Sequence, residues 1–169
     1  MRFFIRLLVF VPLSIHLAYA TATIRHLPAR LGQTPDSGGT DRLSALILWF
    51  CLIGLCNLAF IFLHVRMPKF KDAALTLPGM KSVPSDPEAR ADLISRLRAV
   101  AETALFSLNL FFLAIYQAVY QANTPHPTLQ FPRAVLFVGF MVVPLFVVVV
   151  HVALTVHKLG ISTAADKDP

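Results

Sequence analysis

The chain has 169 residues, 56% of them apolar and only 14% charged, with a formal net charge of +6. A soluble domain carries about 45–50% apolar and about 25% charged residues, so the composition excludes an ordinary water-facing enzyme domain and intrinsic disorder alike. What remains is an integral membrane protein, read as one all-α membrane domain over residues 1–169.

The first apolar run covers residues 7–24 and is interrupted by Pro12 and His16. Arg2 and Arg6 precede it, and Ala18-Tyr19-Ala20 forms a small-x-small exit, the pattern of a cleavable signal peptide. The apolar character continues through Thr21-Ala22-Thr23-Ile24, which favours a retained helix. Residues 25–42 hold Pro28, Gly32, Pro35, Gly38 and Gly39, so they read as a turn-rich outer loop.

Residues 43–65 contain no Asp, Glu, Lys or Arg and match the roughly 20 apolar residues that a crossing helix needs. Cys51 and Cys56 lie in this run, five apart and on different helix faces. That spacing excludes a disulfide between them and leaves them as small packing residues.

Residues 66–86 form a loop on the cytoplasmic side. Arg66, Lys69 and Lys71 flank Phe70 just past the second span. Cations at that depth attract anionic headgroups, at about 1 kcal/mol each. These four residues are the candidate lipid- or partner-binding set. The piece Leu75-Thr76-Leu77-Pro78-Gly79-Met80 reads as apolar chain lying on the inner membrane surface.

Ser85 or Asp86 caps the next helix, with Pro87 in its first turn and Glu88 three residues after Ser85. No Pro or Gly follows until Pro125. One helix over 87–121 is therefore predicted, roughly 50 Å long and too long for the bilayer core alone. Its span is residues 103–121. Its earlier turns carry a stripe of Leu93, Leu97, Val100, Ala101 and Ala104 and extend into the cytoplasm or lie along the interface.

Residues 122–132, with Pro125, Pro127 and Pro132, form a tight outer connection between antiparallel helices. Residues 134–157 are the fourth uncharged span, and 158–169 a cytoplasmic tail that frays from Ser162. The prediction is a four-helix membrane bundle with a cytoplasmic extension of the third helix. With the N-terminus inside, 11 of the 15 Lys and Arg face the cytoplasm. That asymmetry places both termini there. It also accounts for the net charge without nucleic acid.

Four histidines fall in or beside the spans: His16, His64, His151 and His157. Two on different helices are able to hold a b-type haem or a metal ion. The alternative is hydrogen bonding between helices. Glu102 is the one acid near a span interior. A pair with Arg98, one turn earlier, accounts for it. A proton or ion role with His151 or His157 is the other reading. Asn57, Asn109, Gln117 and Gln121 are expected to join helices. No nucleophile elbow, phosphate loop, zinc-protease motif or dinucleotide fingerprint occurs, so neither an enzyme nor a required cofactor is expected.

Leu27-Pro28-Ala29-Arg30, a Gly/Pro/Asp-rich turn, and Asp41-Arg42-Leu43 entering a long apolar helix form a recognisable order. Leu77-Pro78-Gly79 followed by Pro87-Glu88-Ala89-Arg90 extends it, as does the stretch Tyr116-Gln117-Ala118-Val119-Tyr120-Gln121-Ala122-Asn123. The pattern resembles the small domain of unknown function shared with bacterial SdpI-type immunity and signalling proteins. Leu31-Gly32-Gln33-Thr34 and Gly38-Gly39-Thr40-Asp41 stand where that family places aromatic groups, and Lys81-Ser82 replaces an aromatic pair. The likeness implies immunity or signalling and supplies no catalytic residues.

The leading expectation is a non-enzymatic protein of the bacterial cytoplasmic membrane that binds a partner protein or lipid. It protects or senses the envelope, or serves as an accessory subunit, with self-association left open. Contact surfaces are residues 66–80 inside and 27–42 outside. A small proton-coupled transporter and a haem-binding electron carrier are the alternatives.

Overall fold

The computed structural model describes residues 9–32, 38–75, 83–127, 130–132, 135 and 137–165. Arg2, Arg6, the start of the first predicted span, Lys81, the Leu77-Pro78-Gly79 motif and the last four tail residues lie outside the described residues.

Four helices dominate the chain, and three are long and apolar enough to cross a membrane. Helix α1 is Val11–Thr23, followed by a 3-10 turn at Ile24–His26. Pro12 does not break it, because it occupies the first turn, where its missing N–H leaves nothing unpaired. The described part of α1 has 13 residues, short of a full crossing by itself. Ala18-Tyr19-Ala20 lies inside this helix, and Ala20 is buried among Leu27, Leu46, Tyr116 and Tyr120.

The described ends of the following loop pair with each other, which its Gly and Pro content does not predict. Strands β1 (Arg30–Leu31) and β2 (Thr40–Asp41) pair antiparallel, with Arg30 opposite Asp41 and Leu31 opposite Thr40. Gly32 and Gly39 flank the ribbon at φ 65° and 64°, a backbone region that glycine enters without steric cost. The Gly32 N–H donates to Asn123 Oδ1 at 2.7 Å, tying the ribbon to the end of the long helix.

Helix α2 is Arg42–Arg66. Asp41 caps it by accepting from the Ser44 N–H at 2.9 Å and the Ser44 hydroxyl at 3.1 Å. A 3-10 turn, Met67–Lys69, and a single helical turn, Asp72–Leu75, follow. Helix α3 is Pro87–Asn123, about 55 Å long at 1.5 Å per residue. The cap is Asp86, whose carboxylate accepts from the Ala89 N–H at 2.8 Å.

Helix α4 is Val143–Ala165, preceded by a π-helical turn at Val138–Val142. The wide turn sits one residue before Pro144, where an ordinary α-turn would set the proline ring against a carbonyl. The Pro144 carbonyl accepts from the Ser107 hydroxyl at 3.3 Å, joining this turn to α3. The helix runs past His157 to Ala165, so residues 158–165 are helical. No proline lies between Pro144 and Pro169 to stop the backbone ladder.

All three other helices pack on α3, which buries 39% of its apolar stretch against 17% for α2 and 12% for α4. Two clusters mark its ends. At the ribbon end, Ala20, Leu27, Leu46, Tyr116 and Tyr120 are buried together. At the basic end, Met67, Leu75, Leu93, Ile94 and Ala101 are buried, with Phe70 and Leu97 against them. Leu93, Leu97 and Ala101 of the predicted stripe thus meet the segment after α2.

Candidate functional site

Helices α2 and α3 are antiparallel neighbours whose contact is marked by polar pairs. Asn57 and Asn109 exchange two amide hydrogen bonds, at 2.9 and 3.0 Å, and both are buried. Seven residues further along α2 and seven residues back along α3, His64 Nδ1 lies 3.7 Å from Glu102 Oε1. Two antiparallel helices that meet on one seam keep this register, because seven residues are close to two full turns.

Arg98 completes the arrangement. It lies one turn before Glu102 on the same face of α3, and its Nε donates to the His64 carbonyl at 3.2 Å. That carbonyl is among the last four of α2, which lack partners of the ordinary helical kind. A cation there also faces the negative end of the helix dipole. The predicted Arg98–Glu102 pair is therefore replaced. Glu102 meets the α2 histidine, and among the described residues no carboxylate pairs with Arg98.

Beside this group is a cavity of about 310 Å³. Phe10, Phe60, His64, Ala101, Glu102 and Leu105 contribute to its walls, which are almost wholly apolar. Its walls thus come from the entry to α1, from α2 and from α3.

The other predicted residues fall elsewhere. His151 Nδ1 is 2.9 Å from the Thr103 hydroxyl oxygen. That hydroxyl donates to the Ala99 carbonyl at 3.0 Å, so the imidazole is the donor through Nδ1–H. Glu102 and Thr103 are adjacent and point about 100° apart around α3, which sends His64 and His151 to different faces. His157 is exposed on α4. His16 is 1% exposed, and the Trp49 indole N–H donates to its Nε2 at 3.3 Å. Its ring sits 5.2 Å from Tyr116, 6.0 Å from Phe50 and 6.2 Å from Trp49. The lone pair that a metal would need on Nε2 is engaged by the indole. Tyr116 is about 20 Å along α3 from Glu102, so His16 and His64 occupy opposite ends. Among the described residues, no three or more His, Cys, Asp or Glu side chains gather as a metal site.

The predicted basic set divides. Phe70 is half-buried against the Met67–Leu93 cluster, and its carbonyl accepts from Arg90 at 3.2 Å. Arg66 lies over the Phe62 ring, 5.3 Å from its centroid. Arg90 pairs with Asp72, and Arg96 with Asp92 at 2.6 Å. Among the described residues, Arg66, Lys69, Lys71 and Arg98 have no carboxylate partner.

Gln117 and Gln121 secure the connection to α4. Gln117 Nε2 donates to Gln121 Oε1 at 2.6 Å, and Gln121 exchanges hydrogen bonds with the Phe131 backbone at 3.0 Å each. The cavity and the His64–Glu102 contact were not predicted from sequence. Their signal was nonetheless present, as polar residues seven apart in both runs, Asn57 with His64 and Glu102 with Asn109. No family model, curated protein or solved structure matches the chain.

Proposed function

We propose that this is a non-enzymatic, multi-pass protein of a bacterial cytoplasmic membrane that binds anionic lipid, and a partner protein, at its basic end. The reading takes α1 as a fourth span, both termini as cytoplasmic, and the early turns of α3 as a cytoplasmic extension. One observation carries it. Acidic residues neutralise Arg90 and Arg96, whereas among the described residues Arg66, Lys69 and Lys71 have no carboxylate partner. Unneutralised cations beside a span attract anionic headgroups. The likeness to SdpI-type proteins fits a role in protecting the envelope or as an accessory subunit.

The test is purification in mild detergent followed by mass spectrometry of retained lipids and proteins. Retention of anionic lipid that falls in an Arg66→Ser, Lys69→Ser, Lys71→Ser triple variant supports the reading. Equal retention by the variant overturns it. Reporter fusions within residues 122–132 read the orientation, and activity on the outer side is expected.

A proton-coupled carrier is the second reading, favoured by the Glu102–His64 contact beside the cavity. Here His64 takes the place of the helix-four histidines. Proton-driven uptake that disappears in Glu102→Gln would establish it.

A further inference from the structure

The cavity at the basic end gives the lipid-binding reading a definite place. Its walls are apolar side chains from the entry to α1, from α2 and from α3. Ala101 is the reason that α3 leaves room there, since its neighbours on the same face, Leu97 and Leu105, are larger. In a bilayer such a space takes up hydrocarbon, the apolar material around it. Apolar burial alone gives no preference among lipids, because every acyl chain is equally apolar. Preference has to come from the rim.

At the rim, Arg98 lies one turn from Ala101 and Glu102 toward the basic end. Its Nε donates to the His64 carbonyl, a bond that holds the guanidinium and does not use the donors of its two terminal nitrogens. An arginine fixed in this way matches a phosphate, which accepts two parallel N–H bonds. Glu102 is one turn further in on the cavity wall, with its carboxylate near His64. Arg66, Lys69 and Lys71 add positive charge on the same end of the molecule. The sum is a cationic rim over an apolar slot.

We propose that this cavity is a binding site for one anionic phospholipid, with an acyl chain between α1, α2 and α3 and the phosphate on Arg98. The inference rests on the lipid-binding reading above and names its site. Anionic rather than zwitterionic lipid is favoured because the rim cations among the described residues lack carboxylate partners.

The test uses the full chain in lipid nanodiscs or mild detergent, titrated with phosphatidylglycerol or phosphatidylethanolamine and read by native mass spectrometry. Ala101→Leu fills the slot without touching a charge, and Arg98→Gln removes the phosphate ligand without filling the slot. Both variants should weaken phosphatidylglycerol binding, Arg98→Gln by about fivefold, the factor that one cation at an anionic surface is worth. Val65→Phe, at an exposed position of the cavity wall, serves in place of Ala101→Leu if that variant does not fold. Loss in the slot and Arg98 variants, with phosphatidylethanolamine bound more weakly by the parent chain, establishes the site. Unchanged binding in the slot variants, or equal binding of the two lipids, overturns it. If the slot variants bind normally and the Arg66, Lys69, Lys71 triple variant does not, the surface reading survives without the cavity. If none of the variants loses lipid, both readings fail.

Discussion

Asn57 and Asn109 face each other as a closed amide pair, each donating to and accepting from the other in the apolar middle of the α2–α3 contact. Asn57 also donates to the Ile53 carbonyl at 2.9 Å, one turn back on its own helix. An amide in hydrocarbon is costly without a partner, so the pair fixes which residues of α2 meet which residues of α3.

Replacing one member leaves the other unsatisfied. Asn57→Leu or Asn109→Leu should each lower stability by about 1–2 kcal/mol in detergent. The double variant should be less destabilised than the sum of the two singles, because neither amide then lacks a partner. A double-mutant cycle by thermal or denaturant unfolding measures this coupling. A coupling of zero would mean that the pair is not formed.

The same logic applies at the ribbon end. The Tyr116 hydroxyl meets Thr23 Oγ1 at 2.9 Å and the Ala20 carbonyl at 3.4 Å, joining α3 to α1. Tyr116→Phe should cost about 1 kcal/mol, by loss of these bonds alone. Tyr116→Ala should cost more, about 3–5 kcal/mol, because the ring also packs on His16 and Tyr19. The two unfolding midpoints separate hydrogen bonding from packing.

Glu102→Gln should be mild if the protein binds lipid. The His64 and Glu102 side chains are each 25% exposed and 3.7 Å apart, a geometry worth at most about 1 kcal/mol. A near-normal melting temperature is expected. Severe loss of stability would show that the contact holds the helices together.

The cap of α2 has a pH dependence of defined sign. Bonds from the Ser44 N–H and hydroxyl hold the Asp41 carboxyl below the ordinary aspartate value. Its stabilising effect is complete above the unfolded pKa, about 4, and is lost as pH falls through the lower folded value. Protection of the Ser44 amide from hydrogen exchange, relative to its intrinsic rate, should therefore fall in acid. In Asp41→Ala the Ser44 amide should be poorly protected at every pH.

Much of the architecture was legible in the sequence because lipid imposes a simple rule. Uncharged runs of sufficient length must be helices, and α2, α3 and α4 follow from that alone. The Asp86–Pro87 start of α3 was legible for a local reason, since a cap needs only its own next few residues. The ribbon of Arg30–Leu31 and Thr40–Asp41 was not, because two-residue strands carry no periodicity. The partner of Glu102 was misassigned for a related reason. A local i−4 neighbour, Arg98, competes with a residue 38 positions away that only the antiparallel register brings near. The small size of Ala101 acquires meaning as cavity wall only once α2 is in place.

Because α1, α2 and α4 all rest against α3, the order of synthesis matters. During translation α1 and α2 emerge with no spine to lean on, and Asn57 of α2 has yet to meet Asn109. Assembly closes only when the third rod arrives. A ribosome stalled before that point would leave an orphaned amide in oil, an obvious flag for membrane quality-control proteases.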